Sequence, residues 1–470
     1  MYTKMKTDKE QQTQLLTSVL KEAETFFNRR DTGTVSPVFP GKCTLSIEED
    51  GMGAQGALDY FLKHYAPYVN LNTGPKFYGY IIGGVTPAAL AGDWLTSLYD
   101  QNAFGMSGHM DRQVEEEAVA ALIDLLDLNT EMAGSFTSGA TMATVNALAV
   151  AREWAGQKQG KTADDGIYGL KRPVVLSGTA HPSVYKGLSI LGFGRNSVIS
   201  VGTLPGREAV CIESLKRALA EHAGEACIVI ANMGTANSGD IDDLQAIAAL
   251  KKQYDFFLHL DGAIGIVAAA SPKYRPLFEG VHEADSLTID CHKWLNIPYD
   301  SAIALINKKH RNCQYRVYAQ TISVRDTVPD ETEYTNMGNE GSRRFRAIPV
   351  WMSLMAYGKK GYAHMVEQDC DMARLFAKQL EDSGVIRLVS RPVLNGFAFT
   401  LNTAQPSVDD VEKLKQYIRL DGHTFLNSAF VSGTPVLRCS LSNWGIGEEH
   451  VRDVAASVIR CSEKVLSEKQ

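Results

Sequence analysis

Short apolar segments alternate with helical segments through the middle of this chain, and the alternation restricts the folds open to it. The strand-like segments are, in chain order, GSFTS, RPVVLSGTAH, ACIVIANMG, DFFLHLDGA, DSLTIDCHKW and SAIALI. The segments between them, such as TMATVNALAVARE and DDLQAIAALKKQY, have helical character, and Asp242 or Asp243 is suited to cap the second. Alternation of this kind is typical of an α/β protein with a mostly parallel sheet covered by helices.

Chemically active side chains follow several of these strands at the point where each strand ends. His181 ends RPVVLSGTAH, Thr235 follows ACIVIANMG, and Asp261 stands in HLDGA. His292 and Lys293 stand side by side at the end of DSLTIDCHKW. Ligands of such sheets bind beyond the carboxyl ends of the strands. We therefore expect these side chains to share one site.

Their residue types match the needs of pyridoxal phosphate. A lysine such as Lys293 can form a Schiff base with the aldehyde, and a carboxylate such as Asp261 can keep the pyridine nitrogen protonated. His181 could stack on the ring, and Thr235 could hydrogen-bond the phenolic oxygen. Each residue alone has an ordinary explanation, as a surface lysine, a cap or a turn residue. Their joint occurrence at successive strand ends favours the cofactor.

The loop TSGATMAT opens directly into a helix and offers a place for the cofactor's phosphate. Backbone N–H groups and the helix dipole favour an anion at the helix start, where Ala140 and Thr141 stand. Neither GxxxxGK[ST] nor GxGxxG occurs in this loop, which disfavours a nucleotide.

Charge and cysteine spacing exclude several other classes of function. The net charge of −7 over 470 residues leaves no basic footprint for nucleic acid. The N-terminus MYTKMKTDKEQQTQ lacks the apolar core of a signal peptide, and runs such as AIGIVAAA are too short to span a membrane. The 8 cysteines include no CxxC pair, which argues against a disulfide framework and a metal site such as zinc. We expect a reduced, cytoplasmic protein.

The two ends of the chain differ from its middle. The segment QQTQLLTSVLKEAETFFNRR has apolar residues at helical spacing, as expected of either a dimer arm or a simple packed helix. The chain after SRRFRAIPVW indicates a smaller α+β domain. Its expected elements are a long helix, an antiparallel pair in GVIRLVSRPVLNGFAFTLN, a helix, a strand in PVLRCSLSNW and a last helix from about Glu448. We expect an N-terminal helical arm (1–76), a large cofactor-binding domain (77–345) and a small C-terminal domain (346–470).

The motifs DCHKW, HLDGA, SRRFRAIPVW and TSGATMAT together resemble those of the pyridoxal-phosphate-dependent group II amino-acid decarboxylases. This family includes the aromatic-L-amino-acid, glutamate and diaminobutyrate decarboxylases. The resemblance runs from GPKFYGYIIGG to LRCSLSNWGIGEEH, most of the chain. It implies the fold-type I architecture, with a large, mostly parallel seven-stranded sheet domain, a small C-terminal α+β domain and an N-terminal helical arm. It also implies a homodimer with active sites at the subunit interface.

The resemblance implies a role for each motif residue. Lys293 would form the internal aldimine, Asp261 would pair with the pyridine nitrogen, and Ala263 would pack on one ring face. His181 would stack on the other face and contact the substrate carboxylate, with Thr235 near the ring oxygen. The residues implied in phosphate binding are Ala140, Thr141 and His292, and Tyr80 is implied in the substrate pocket.

The chain also departs from the family pattern. Met142 and Gly262 replace residues that the family often has, Glu and Ala, and we expect both changes to be tolerated. The polar segment 323–342 resembles the family's mobile catalytic loop, which carries a tyrosine thought to protonate the product carbon. Tyr318 or, in another register, Thr321 corresponds to that position. The residues after Tyr80, 81–83, are Ile-Ile-Gly where aromatic-specific members have an aromatic wall, which favours another substrate.

The predicted reaction is therefore decarboxylation of an L-amino acid to the amine and carbon dioxide. An aldehyde-forming oxidative deaminase on the same fold is the alternative if the loop tyrosine is absent. An aminotransferase should carry an arginine for the substrate carboxylate in its C-terminal domain, and Arg438 has that place, although the resemblance gives it a mostly structural role. A cysteine desulfurase would need Cys313 as nucleophile. A catalytically silent homologue is the alternative outside enzymes. Acidic, dibasic and aromatic substrates remain open.

Overall fold

The computed structural model describes residues 2–41, 46–162, 164, 166–319 and 333–469. The helices of this described part are α1 (Thr3–Glu10), α2 (Gln12–Arg30), α3 (Gly53–His64), α4 (Pro87–Tyr99), α5 (Met110–Leu125), α6 (Ala140–Gln157), α7 (Pro182–Ile190), α8 (Ile212–Glu221), α9 (Leu244–Leu250), α10 (Arg311–Tyr318), α11 (Ala347–Asp382), α12 (Val408–Asp421) and α13 (Glu448–Ser467). The strands are β1 (Met132–Thr137), β2 (Val174–Ser177), β3 (Val198–Ser200), β4 (Cys227–Asn232), β5 (Phe256–Asp261), β6 (Ser286–Ile289), β7 (Ala302–Asn307), β8 (Ile386–Leu388), β9 (Gly396–Leu401), β10 (Asn427–Val431) and β11 (Thr434–Ser440).

The large sheet has seven strands in the order β1-β7-β6-β5-β4-β2-β3. Only β7 runs against its neighbours, since it pairs antiparallel with β1 and β6 while the other pairs are parallel. The predicted α/β class and mostly parallel sheet are therefore confirmed. The six central segments named from the sequence all form strands, and the seventh, β3, is a three-residue edge strand without a long apolar run.

Helices cover this sheet and bury nearly all of its inner strands. Every residue of β4, β5 and β7 is buried, as expected of strands with helices on both faces. Asp243 caps α9 by accepting the N–H of Ala246, whereas the Asp242 side chain accepts the N–H groups of Val210 and Asn232. Asp243 thus starts the helix, and Asp242 holds a loop at the strand ends.

A second sheet of four strands, in the order β10-β11-β9-β8, is antiparallel throughout. The expected pair β8 and β9 is present, and β10 is an additional strand that the sequence pattern did not reveal. The long helix α11 contributes Val366 and Cys370 to the core of the large sheet and Phe376 and Leu380 to the core of the second one. One helix therefore packs into both cores. The predicted domain boundary at 345/346 stays a prediction.

The three N-terminal helices lie outside both cores. None of the residues in α1, α2 and α3 is buried, although α2 and α3 carry many apolar side chains. Among the helices of the described part, none is long and apolar enough to cross a membrane.

Candidate active site

A cavity of about 380 Å³ opens at the carboxyl edge of the large sheet. Its walls come from the segments that follow β1, β2, β3, β4, β5 and β6, together with one residue of β11. Among its lining residues are all eight that the sequence assigned to the cofactor, Ala140, Thr141, His181, Thr235, Asp261, Ala263, His292 and Lys293. The structure thus brings together residues that span 154 positions of the sequence, from 140 to 293.

Lys293 is held inside the cavity by a carboxylate that directly follows β6. Its Nζ lies 3.2 Å from Asp290 Oδ2, and only 15% of its side chain is exposed. On the opposite side of the lysine loop, Gly83 packs so closely that a Cβ there would lie 1.8 Å from the Lys293 carbonyl oxygen. The glycine after Tyr80 therefore allows the backbone to support the lysine loop, where any side chain would displace it.

The hydrogen bonds of His292 fix its tautomer. Its Nδ1 accepts the backbone N–H of Ser301 at 3.2 Å, so the proton of the neutral ring is on Nε2. That Nε2–H donates to Asp290 Oδ1 at 3.0 Å, and the ring stacks on Tyr299 at 4.0 Å between centroids. The imidazole thus presents its only N–H towards the start of α6.

The start of α6 has the features of an anion site. Its N-cap is Gly139, which has no side chain to satisfy the first N–H groups of this 18-residue helix. The N–H of Ala140 donates to Asp290 Oδ1 at 3.2 Å. A carboxylate oxygen therefore already lies against Ala140 N–H and His292 Nε2–H, which belong to two of the three residues that the family resemblance implies for phosphate.

His181 and Asp261 lie on the walls at the ends of two other strands. Burial lowers the pKa of His181, so the ring is neutral near pH 7. Its Nδ1 accepts the N–H of Ser183 at 3.2 Å, which leaves Nε2–H as the donor available to a ligand. Asp261 accepts the N–H of Ala263 at 3.2 Å, and its other oxygen has no competing partner among the hydrogen bonds of the described residues.

Thr235 is engaged by a buried glutamate that the sequence reasoning did not identify. Its Oγ1 donates to Glu208 Oε2 at 2.6 Å and accepts the N–H of Asp240 at 3.0 Å. Ser238 donates both its hydroxyl, at 2.6 Å, and its N–H, at 3.1 Å, to the same Glu208 oxygen. Because a hydroxyl has one proton to donate, Thr235 can act towards a further ligand only as an acceptor.

Arg438 also lines the cavity, although the sequence analysis gave it a mostly structural role. It lies on β11, and its Nη1 donates to the carbonyl oxygen of Ala236 at 2.7 Å. Burial lowers the pKa of Arg438, while the nearby charge of Glu208 opposes that shift. The second sheet thus supplies one cation to a site that is otherwise built from the first.

Two of the predicted site residues lie outside the cavity lining. Tyr80 has a left-handed backbone (φ 53°), donates its N–H to Asn427 and stacks on Phe425 at 5.4 Å. Tyr318, at the end of α10, donates its hydroxyl to the carbonyl oxygen of Asn146 at 3.0 Å. Its alternative, Thr321, lies outside the described residues, as does the first half of the segment 323–342. Neither tyrosine contributes to the cavity in this arrangement, and both roles stay predictions.

Cys313 is buried on α10 and does not line the cavity. Burial raises its pKa to about 11, which keeps the thiol protonated and unreactive near neutral pH. Cys313 is therefore unsuited to act as the nucleophile of a cysteine desulfurase.

The residues that sequence reasoning missed differ in how visible they were. Asp290 opens the motif DCHKW, and its position directly after a strand was a signal that could have been used. Glu208 stands in the loop LPGREAV, where no spacing or strand end distinguishes it. Its importance depends on a fold that brings this loop beside Thr235.

The residues present fit pyridoxal 5′-phosphate. The cavity volume is in the range of small-molecule sites. Lys293 can hold the aldehyde carbon, Asp261 can face the ring nitrogen, and the start of α6 with His292 can hold the phosphate. The Asp290 carboxylate, which lies against the start of α6, does not match an anionic ligand there.

Comparison with known proteins gives a consistent result. Residues 58–402 match the model of the pyridoxal-dependent decarboxylase conserved domain. An aromatic-L-amino-acid decarboxylase of Bacillus atrophaeus is 31% identical over 355 residues, which are 74% of this chain and 70% of that protein. A 4-hydroxyphenylacetaldehyde synthase of Rhodiola rosea is 23% identical over 462 residues, 94% of this chain and 93% of that one.

A similar fold is found in a solved structure, that of Oryza sativa TDC with PLP and tryptamine. The TM-score is 0.86 at 20% sequence identity, and the match covers 97% of this chain and 98% of the other. At this identity the likeness concerns the fold, and it supports the fold-type I architecture expected from the sequence.

Proposed function

Because this chain belongs to the pyridoxal-dependent decarboxylase family, we propose that it removes the carboxyl group of an L-amino acid as carbon dioxide and releases the amine. The observation that carries the proposal is the convergence of Lys293, Asp261 and His181 on one cavity beside the start of α6. These are the groups needed to hold an aldehyde, a ring nitrogen and a carboxylate in one place.

The cofactor, when bound, supplies an electron-accepting ring for the electron pair left on the α-carbon as carbon dioxide departs. Asp261 would keep a proton on the ring nitrogen, because a buried carboxylate favours the charged form of a partner beside it. Lys293 would hold the cofactor through its aldehyde carbon. Neutral His181 would pack against the ring and could offer Nε2–H to the substrate carboxylate without neutralising it.

The site also limits contact with water. Asp290 and Lys293 are nearly enclosed, with 4% and 15% of their side chains exposed. In such surroundings a carboxylate loses part of its hydration, which favours release of uncharged carbon dioxide.

Aldehyde formation is the second candidate, and a specific observation supports it. Tyr318, one of the two positions matched to the proton-donating tyrosine, has its hydroxyl bonded to Asn146 and not directed into the cavity. One relative that matches nearly the whole chain is named as an aldehyde synthase. If no group returns a proton to the α-carbon, oxygen can react there instead.

A homodimer is part of the proposal. Helices α2 and α3 bury none of their own residues, yet α2 exposes Leu16, Leu20 and Phe27. A groove of about 300 Å³ between α2, α3 and α4 is almost entirely apolar and includes Phe26 and Trp94. A second copy of the chain would cover these surfaces, and light scattering of the purified protein would give its mass directly.

The proposed reaction is tested with a substrate panel. Purified protein with added cofactor is incubated with each common L-amino acid, diaminobutyrate, dopa and cysteine sulfinate, and carbon dioxide and products are followed. An amine formed together with an equal amount of carbon dioxide supports decarboxylation and identifies the substrate class. An aldehyde formed with ammonia and oxygen uptake supports the second candidate. Absence of carbon dioxide with every substrate would refute both.

A further inference from the structure

Asp290 is a carboxylate of the cavity wall that lies against the proposed anion site, and the proposed function gives it no role. It accepts the Ala140 N–H at 3.2 Å and the His292 Nε2–H at 3.0 Å, and it lies 3.2 Å from Lys293 Nζ. Ala140 and His292 are also, with Thr141, the residues that the family resemblance implies for phosphate binding. Asp290 therefore uses the donors of the proposed anion site.

Neither the backbone N–H of Ala140 nor the ring of His292 has a second proton to donate. A backbone N–H is a single donor, and the neutral ring of His292 has its proton on Nε2 because Nδ1 accepts the Ser301 N–H. A phosphate oxygen that binds at Ala140 and His292 must share or replace the bonds to Asp290.

Charge adds to this competition. Burial alone would raise the pKa of Asp290, but Lys293 and His292 outweigh burial and lower it, so the carboxylate is ionised near pH 7. Only 4% of the side chain is exposed, so solvent screens its charge weakly. A phosphate placed beside it is repelled.

We propose that Asp290 competes with the cofactor's phosphate group for the Ala140 and His292 donors, and so limits how tightly the site holds the phosphorylated cofactor. The inference rests on the proposed cofactor site. It makes Asp290 a residue that regulates occupancy, because the carboxylate that holds Lys293 in place also weakens the anion site next to it.

The test separates the phosphate from the aldehyde. Dissociation constants of pyridoxal 5′-phosphate and of pyridoxal are measured by absorbance at pH 8 with the cofactor-stripped full chain and with Asp290→Asn. Both ligands form the same bond to Lys293, so the ratio of the two constants reports the phosphate alone. We expect the dissociation constant of pyridoxal, divided by that of pyridoxal 5′-phosphate, to be about tenfold or more larger in Asp290→Asn than in the unchanged protein.

A second measurement and a matched control complete the design. Inorganic phosphate alone should bind the cofactor-stripped Asp290→Asn chain with a lower dissociation constant than the cofactor-stripped unchanged protein. Asp243→Asn makes the same change of charge at a helix N-cap outside the cavity lining, where asparagine also caps, and it should leave both measurements unchanged. The Asn oxygen can still accept the Ala140 N–H, and the melting temperature of Asp290→Asn checks that the fold is retained.

The possible results have distinct meanings. An unchanged ratio, or equal weakening of both ligands, would show that Asp290 only positions Lys293 and would overturn the inference while leaving the proposed function intact. If neither ligand binds to the unchanged protein, the cofactor site itself is wrong, and the inference falls with it.

Discussion

Two aspartates flank the same four-residue strand, β6, and their surroundings differ sharply. Asp285, just before the strand, has both oxygens engaged: Lys251 lies 2.5 Å away, Lys309 2.6 Å and His310 2.9 Å, and the N–H of Leu258 donates at 2.6 Å. Asp290, just after the strand, has one lysine and lines a cavity. Both side chains are almost fully buried.

The comparison shows that residue type alone does not distinguish a structural pair from a reactive one. Both are buried Asp–Lys pairs beside a histidine. At the amino end of β6 three basic side chains surround one carboxylate, so its charge is more than balanced. At the carboxyl end, loops from several strands diverge and leave space for a ligand, as parallel sheets do.

Replacement of the two lysines gives the largest expected difference. Lys293→Ala should reduce turnover at least about a thousandfold, which corresponds to about 4 kcal/mol, because the aldehyde loses its attachment point. It should also remove the lysine-dependent absorbance band of the cofactor. The matched variant Lys251→Ala should keep the band and most of the turnover but unfold at lower urea. Equal losses of turnover in the two variants would contradict the distinction.

Asp285→Asn tests the structural side of the comparison. Burial alone would raise the pKa of Asp285, but His310, Lys251 and the N–H of Leu258 outweigh it and lower the pKa well below its usual range. Its stabilisation is therefore complete above the unfolded-state value of about 3.9 and is lost as the pH falls below it. The variant should lose about 3 kcal/mol at pH 7, because cations are left unbalanced.

Urea unfolding at pH 7 and pH 3 measures this effect. The difference between Asp285→Asn and the unchanged protein should shrink at pH 3, because the Asp285 carboxyl of the unfolded chain is then largely protonated and the unfolded state is favoured. A difference that is equal at both values of pH would mean that packing, not charge, is lost.

Glu208 combines features of the two aspartates. It lines the cavity, as Asp290 does, and it accepts several hydrogen bonds within the protein, as Asp285 does. Glu208→Gln should free Thr235 from its strongest acceptor and reduce turnover about tenfold, with a shifted pH titration of the cofactor band. Thr235→Val and the variant that carries both substitutions complete a double-mutant cycle with Glu208→Gln. If Glu208 acts through Thr235, the two effects should not add. Full additivity would assign Glu208 a separate role, such as holding Arg438.

The sequence allowed much of this to be predicted, and the reasons are physical. Alternating strands and helices fix a parallel sheet, and a parallel sheet gathers its strand ends at one edge, so His181, Asp261 and Lys293 could be assigned to one site. The family match now confirms the resemblance stated from the motifs. The short strands β3 and β10 were missed because they lack long apolar runs. Glu208 was missed because a loop residue has no periodicity.

The smallest expected effect concerns Tyr318, which was matched to the proton donor by register alone. Its hydroxyl donates to the Asn146 carbonyl within the protein, and burial raises its pKa well above the usual range, which makes it a poorer acid. Tyr318→Phe should therefore cost about 1 kcal/mol of stability, for one lost hydrogen bond, and change turnover less than about twofold. Its matched control is Tyr315→Phe on the same helix, in which the stability should also fall slightly. If Tyr318→Phe instead converted the product from amine to aldehyde, Tyr318 would be the proton donor, and the helix α10 would have to open during turnover to release its hydroxyl.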